Sequence, residues 1–174
     1  MLRRISLLNK RGFLQKKDYF NRGFLFSPLL IIPLFLVIDL PPGTGDAQIS
    51  LSQSVPISGA IVVTTPQQVS LQDARRGLAM FKQLGVPLLG IVENMSVFIP
   101  PDMPGKKYEI FGKGGGQTLA KENDLPLLAQ IPIEIPLVDD SNKGVPISVS
   151  QPNKESSVVF SNLAQLIKNQ FVNI

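Results

Sequence analysis

The chain has 174 residues, 44% of them hydrophobic, and a formal net charge of +4; that is enough for one domain with a real core and is not the composition of a disordered chain. It contains neither cysteine nor histidine, which excludes a thiolate nucleophile, a Cys/His zinc site, a cysteine-ligated iron–sulfur cluster within one chain and imidazole acid–base chemistry. Seven of the 17 basic residues but one of the 13 acidic ones precede Asp39, leaving ten basic against twelve acidic, so the body is mildly acidic and no nucleic-acid role is indicated.

Met1 to Asn21 is basic without a sustained apolar period, and Phe24 to Ile38 is apolar apart from Ser27, Pro28 and Pro33. This order resembles a targeting segment or an anchor. The run is nevertheless shorter than the roughly 20 residues that span a bilayer, and two prolines interrupt it; its second half is expected to be a strand and membrane insertion is not. Leu34 to Ile38 ends at Asp39, and Pro41-Pro-Gly-Thr-Gly45-Asp46 follows at once. Continuous apolar residues suit a strand covered on both faces of a parallel sheet. Ligands of such sheets bind outside the carboxyl ends of the strands, where Asp39 could hold Mg²⁺ through water. Gly43 and Gly45 would let the backbone pass close to a phosphate. The alternative is an Asp that only caps the turn.

A short helix is expected over Ala47 to Ser54, and a second buried strand over Gly59 to Thr64. Ser70 with Asp73 forms a capping-box pattern at the start of a helix whose apolar positions are Leu71, Ala74, Leu78, Phe81 and Leu84, with Gly85 just past its end. Val86 to Val92 is a third strand ending in Glu93-Asn94-Met95. Strand, helix and strand form a βαβ unit with a right-handed parallel crossover.

The prolines at 100, 101 and 104 make Phe98 to Lys107 a loop. Gly112-Lys-Gly-Gly-Gly116 leads into a helix over Gln117 to Glu122, either as an anion cradle or as a flexible helix start; no Gly-Lys-Ser/Thr is present, so it is not a Walker A loop. Leu127 to Ile131 is a fourth strand, followed by Pro132, Glu134 and Pro136. Val138 to Gly144 is expected to be loop, with Asp139-Asp140 solvated, and Ile147 to Val149 a short extended piece. Glu155 to Phe171 closes the chain as an amphipathic helix on Val159, Leu163, Leu166, Ile167 and Gln170. The amide of Asn94, at the end of its strand, could read a base edge or form a turn.

Four motifs, Asp39-Leu-Pro-Pro-Gly-Thr-Gly-Asp46, Thr64-Thr-Pro-Gln67, Glu93-Asn-Met-Ser96 and Ile110-Phe-Gly-Lys-Gly-Gly-Gly116, occur in an order and at separations that resemble the C-terminal portion of the Mrp/ApbC-type iron–sulfur cluster carriers, in the MinD/ParA-like branch of P-loop ATPases. The loop around Pro100 is most similar to cyanobacterial or plastid-lineage members. The resemblance divides the chain into a leader, 1–33, and a family portion, 34–174. It implies an α/β fold, a parallel sheet flanked by helices, as a truncated P-loop NTPase (Rossmann-like) fold lacking the Walker A strand and helix.

It further implies ATP and Mg²⁺ as ligands. Asp39 would stand near Mg²⁺, and Pro41, Gly43, Thr44, Gly45 and Asp46 would sense the γ-phosphate. Asn94 would contact adenine, with Pro132, Ile133 and Glu134 lining the base. A homodimer or pairing with a full-length relative, delivery of a [4Fe–4S] cluster to apoproteins, and a cytoplasmic or, in a eukaryote, plastid-stromal location are also implied. Relatives carry Cys-x-x-Cys in the loop after Glu-Asn-Met-Ser; here Phe98-Ile-Pro-Pro-Asp-Met103 stands there, so no cluster ligands are expected. Without the Walker A strand, backbone groups of the Asp39 strand would lack partners, at about 1–3 kcal/mol each, in a domain whose net stability is about 5–15 kcal/mol. A poorly stable product is therefore expected unless Leu29 to Ile32 pairs there.

Overall fold

The computed structural model describes residues 4–9, 35–40, 45–103 and 105–172. Five strands, β1 (Arg4–Asn9), β2 (Phe35–Leu40), β3 (Gly59–Thr64), β4 (Leu88–Phe98) and β5 (Leu127–Ile133), form one sheet in the order β2-β1-β3-β4-β5. Among the described residues six helices accompany them: α1 (Asp46–Ser54), α2 (Gln68–Gln83), α3 (Gly115–Glu122), α4 (Ile135–Asn142), α5 (Ile147–Ser150) and α6 (Glu155–Val172). β3, β4 and β5 pair in parallel, and the β3-α2-β4 unit is the expected crossover. β1 runs antiparallel to both β2 and β3, so β2 points the same way as the other three and β1 alone is reversed.

β3 and β4 are the truly buried strands. Alternate residues of a strand face opposite sides. Accordingly Ala60 and Val62 join Leu71, Ala74, Leu78, Phe81 and Leu119 in one core. Ile61 joins Val92, Ile131 and Ile167 in a second, with Val159, Leu163 and Phe171 packed against it. α2 and α3 therefore cover one face and α6 the other. The helical spacing of the apolar residues fixes which side of α2 is buried. Its end also follows expectation, since Gly85 takes φ 66 and its N–H donates to the Lys82 carbonyl, as a C′ glycine does.

The start of α2 does not. Gln67 is its N-cap, without a side-chain bond, and Ser70 lies inside the first turn, where its Oγ accepts from Thr65 Oγ1 at 2.8 Å. The turn after β3 reaches Ser70 before it can cap anything. The apolar run before Asp39 also lands differently: β2 is an edge strand, and Leu36 and Val37 are 43% and 54% exposed. A both-faces-buried pattern needs neighbours on both sides, and among the described residues no strand flanks β2 on its outer side. The pairing expected of Leu29 to Ile32 lies outside the described residues; Arg4–Asn9 occupies the slot between β2 and β3, registering Asn9 with Phe35 and Arg4 with Leu40 on one side and Arg4 with Val62 on the other.

Two segments read as irregular are helical. Pro136 stands in the first turn of α4, where its fixed φ and missing N–H suit a helix start, so residues 138–142 are helix and not loop. Asp140 is buried instead of solvated: its Oδ2 accepts from Ser150 Oγ at 2.6 Å and from Gln151 Nε2 at 3.0 Å. That tertiary tie holds α5, expected to be extended, as a single turn against α4. Pro132 falls within β5, an edge strand that pairs on one side only and tolerates a residue without an N–H.

Candidate functional site at the C-terminal strand ends

The four parallel strands all end on the same side, and those singled-out residues that the structure describes lie towards that side. Asp39 is the penultimate residue of β2, exposed, and in register with Ile5 of β1. Pro41, Pro42, Gly43 and Thr44 lie outside the described residues. Gly45 is the extended N-cap of α1, and Asp46 is exposed in the first turn of that helix, where a carboxylate favours the positive end of the helix dipole.

At the other end of the row, Asn94 of β4 is half-buried and in register with Ile131 of β5, next to Pro132 and Ile133. Its Oδ1 accepts from the Met95 N–H at 2.9 Å, and Met95 takes φ 58. That left-handed residue kinks β4 where its register with β5 shifts. Ile133 is half-buried and its carbonyl accepts the Ile99 N–H at 3.0 Å. Glu134 is buried, and its Oε2 accepts both the Ser156 N–H, at 2.8 Å, and the Ser156 hydroxyl, at 2.6 Å. The Glu134 carboxylate thus caps the start of α6. Asn94 and Pro132–Ile133 are neighbours on adjacent strands, whereas β2 and β4 are separated by β1 and β3. The register sets Asp39 level with Ile5, Ile61 and Gly90, so Asn94 lies three strand spacings, about 14 Å, across the sheet and a further four residues, about 13 Å, along it.

Between these ends is a residue whose role the sequence did not reveal. Thr64, Glu93 and Gln130 are aligned across β3, β4 and β5, and Glu93 is 1% exposed. Its Oε2 accepts the Gly116 N–H at 2.6 Å, and its Oε1 accepts from Gln130 Nε2 at 2.7 Å. The glycine-rich segment owes its composition to this contact. A Cβ on Gly116 would sit 2.8 Å from the Glu93 Cβ, and one on Gly115 would sit 2.7 Å from the Pro66 carbonyl oxygen. Gly114 provides the left-handed N-cap, at φ 68. The helix start does meet an anion, as the cradle alternative required, but the anion is the chain's own Glu93. Lys113 bonds to Glu109 at 2.9 Å on the surface, and that carboxylate raises the Lys113 pKa. A carboxylate at the end of a strand, followed some twenty residues later by three glycines, was the only hint of this arrangement in the sequence.

The donor set does not fit an iron–sulfur cluster. The chain has no cysteine, and among the described residues no group of three or more His, Cys, Asp or Glu could hold a metal ion. Mg²⁺ places a smaller demand, because it keeps several waters and is held largely by phosphates with one or two carboxylates; Asp39 is an exposed carboxylate at the end of β2. No helix among the described residues is long and apolar enough to cross a membrane.

A family model described as ParA, the NUBPL iron-transfer P-loop NTPase, matches residues 34–168. An iron–sulfur cluster carrier protein of Synechocystis is 58% identical over 133 residues, which are 76% of this chain and 38% of the relative. One from Escherichia coli is 46% identical over 136 residues, 78% of this chain and 37% of that one. The chain therefore spans under two fifths of the length of these curated relatives. Among solved structures, a nucleotide-binding protein of Archaeoglobus fulgidus in complex with ADP is similar at 36% identity and a TM-score of 0.53, over 60% of this chain and 43% of the other.

Proposed function

The chain belongs to the Mrp/ApbC-type iron–sulfur carrier family of ParA/MinD-like P-loop ATPases, and from that premise we propose that it carries the C-terminal share of a Mg–ATP site. Asp39 holds the ion through water, Asn94 with Pro132 and Ile133 receives the adenine, and the phosphates lie between. The observation that supports this is the position of these residues towards the carboxyl ends of β2 and β4, offset by three strands and four residues and so about 19 Å apart, a span for an extended ligand lying obliquely across the sheet. Gly43, Thr44, Gly45 and Asp46 follow Asp39 as the segment that responds to the γ-phosphate.

In the whole family protein such a site drives delivery of an iron–sulfur cluster to apoproteins, with two subunits acting together. In this chain the cluster ligands are missing, and no Gly-Lys-Ser/Thr stands in the 174 residues to hold the phosphates. We therefore propose that these 174 residues by themselves bind Mg–ATP weakly and do not turn it over. Titration of Mg–ATP into the parent and Asp39→Ala tests this. The substitution is expected to weaken Mg-dependent binding about tenfold, a change of about 1.4 kcal/mol. Equal affinity in both proteins would refute the role of Asp39, and rapid hydrolysis by the parent would refute the absence of turnover.

A further inference from the structure

Resting on the reading of Asn94 as the base contact, we propose that Glu93 is a positioning residue for base selection. Without touching the ligand, it holds the Asn94 amide in the orientation that accepts adenine and rejects guanine.

The direction of the Asn94 side chain is set by the backbone that follows it. Its Oδ1 accepts the Met95 N–H at 2.9 Å, an N–H turned back by the left-handed φ of 58 at Met95. With one lone pair engaged in this way the amide is kept from turning over. Oδ1 then offers its second lone pair, and Nδ2 its two hydrogens. Adenine presents an acceptor at N7 beside an amino donor at N6, whereas guanine presents acceptors at both N7 and O6. An amide fixed in this sense matches adenine and sets oxygen against oxygen in guanine. One that rotates can aim Nδ2 at both guanine acceptors, and the distinction is lost.

A left-handed methionine is strained and persists only when its surroundings over-determine it. Support from β5 is interrupted just past Asn94: from Asn94 to Phe98 β4 advances four residues, while β5 advances two, from Ile131 to Ile133. Upstream the strand is pinned at Glu93. Its buried carboxylate is held from α3 by the Gly116 N–H at 2.6 Å and from β5 by Gln130 Nε2 at 2.7 Å. The Gly116 backbone also rests against the Glu93 side chain, since a Cβ there would lie 2.8 Å from the Glu93 Cβ. α3 is in turn tied to α2 by Arg75 with Glu122 and by Lys82 with Asn123, both at 2.9 Å, so the grip on Glu93 is anchored in the body of the domain. Loss of that grip lets Met95 relax towards an ordinary φ, draws its N–H off Oδ1 and frees the amide to rotate.

The readout is the ratio of the affinities for Mg–ATP and Mg–GTP, from calorimetric titration of each nucleotide into the whole chain. A loss of stability alone lowers both affinities by the same folded fraction and leaves their ratio intact. The parent is expected to prefer Mg–ATP about tenfold and Glu93→Ala about twofold or less. Glu93→Gln keeps an acceptor for Gly116 and should restore most of the preference. Gln130→Ala removes one of the two anchors at an exposed residue; it should about halve the preference, and it decides the matter if Glu93→Ala does not fold. Asn94→Ala should abolish the preference. A preference lost in Asn94→Ala but unchanged in Glu93→Ala, or in Gln130→Ala where the former does not fold, overturns the positioning role and leaves the base reading standing. So does a loss in Glu93→Gln as large as that in Glu93→Ala. A parent with no preference, or an Asn94→Ala variant with the full one, overturns the base reading and the positioning role with it.

Discussion

Truncating Glu93 should be among the most damaging single changes in the domain, although the residue lies in neither core. Its carboxylate accepts the Gly116 N–H at 2.6 Å and the Gln130 amide at 2.7 Å, at 1% exposure. Hydrogen bonds to a charged group contribute about 1.5–3 kcal/mol each, and a buried donor left without an acceptor costs about 1–3 kcal/mol. Gln130 is exposed and can turn to water, but the Gly116 N–H has no such route. Glu93→Ala is therefore expected to cost about 3–5 kcal/mol, a large share of a net stability of about 5–15 kcal/mol. In a chain of this size that lowers the melting midpoint by roughly 10 °C. Glu93→Gln keeps an acceptor for Gly116 and should lose about 1 kcal/mol. Urea unfolding followed by circular dichroism measures both, and amide exchange at Gly116 should quicken in Glu93→Ala alone. A stability within about 0.5 kcal/mol of the parent for Glu93→Ala would refute the reasoning, since a surface substitution costs no more than that.

Two further changes probe the sheet and the α4–α5 tie. Gly90 has φ 150, and a Cβ there would lie 2.6 Å from both the Pro126 carbonyl oxygen and the Leu128 Cγ, so Gly90→Ala should cost at least ~3 kcal/mol; Gly105→Ala, with open space around it, is the neutral control in the same urea titration. The Asp140 carboxyl is held below its ordinary pKa by the Ser150 hydroxyl first, then by the Gln151 amide and Lys143. Its contribution is therefore present above the ordinary carboxylate value and is lost as pH falls through the lower value in the folded state. Asp140→Asn should be less stable than the parent at pH 7 and should shrink that gap by pH 3; a gap unchanged between the two pH values would exclude the tie.

Much of the candidate site was legible because its signals are local. Asp39 after an apolar run, Asn94 at a strand end and the glycines before a helix each report on a few neighbouring residues, and their positions on the strands follow from period and turn chemistry alone. Glu93 was not legible, because both its partners are distant in sequence, at Gly116 and Gln130. Asp140 was misread for the same reason: the acidic pair resembles solvated loop until Ser150 and Gln151 arrive to receive it.

By itself the sequence determined the family, the buried strand β3, the core face of α2 with its Gly85 stop, and the exclusion of cysteine and histidine chemistry. These depend on residue type and short-range periodicity. The tertiary structure decided which strand became an edge. Leu36 and Val37 of β2 would be buried in the middle of a sheet and are exposed at its margin, and nothing within the strand distinguishes the two. It also decided that Arg4–Asn9, a short stretch in a segment without a sustained apolar period, would fill the slot between β2 and β3. Backbone N–H and carbonyl groups are alike in every non-proline residue, so a vacant place in a sheet selects a strand by reach and pairing more than by side chain.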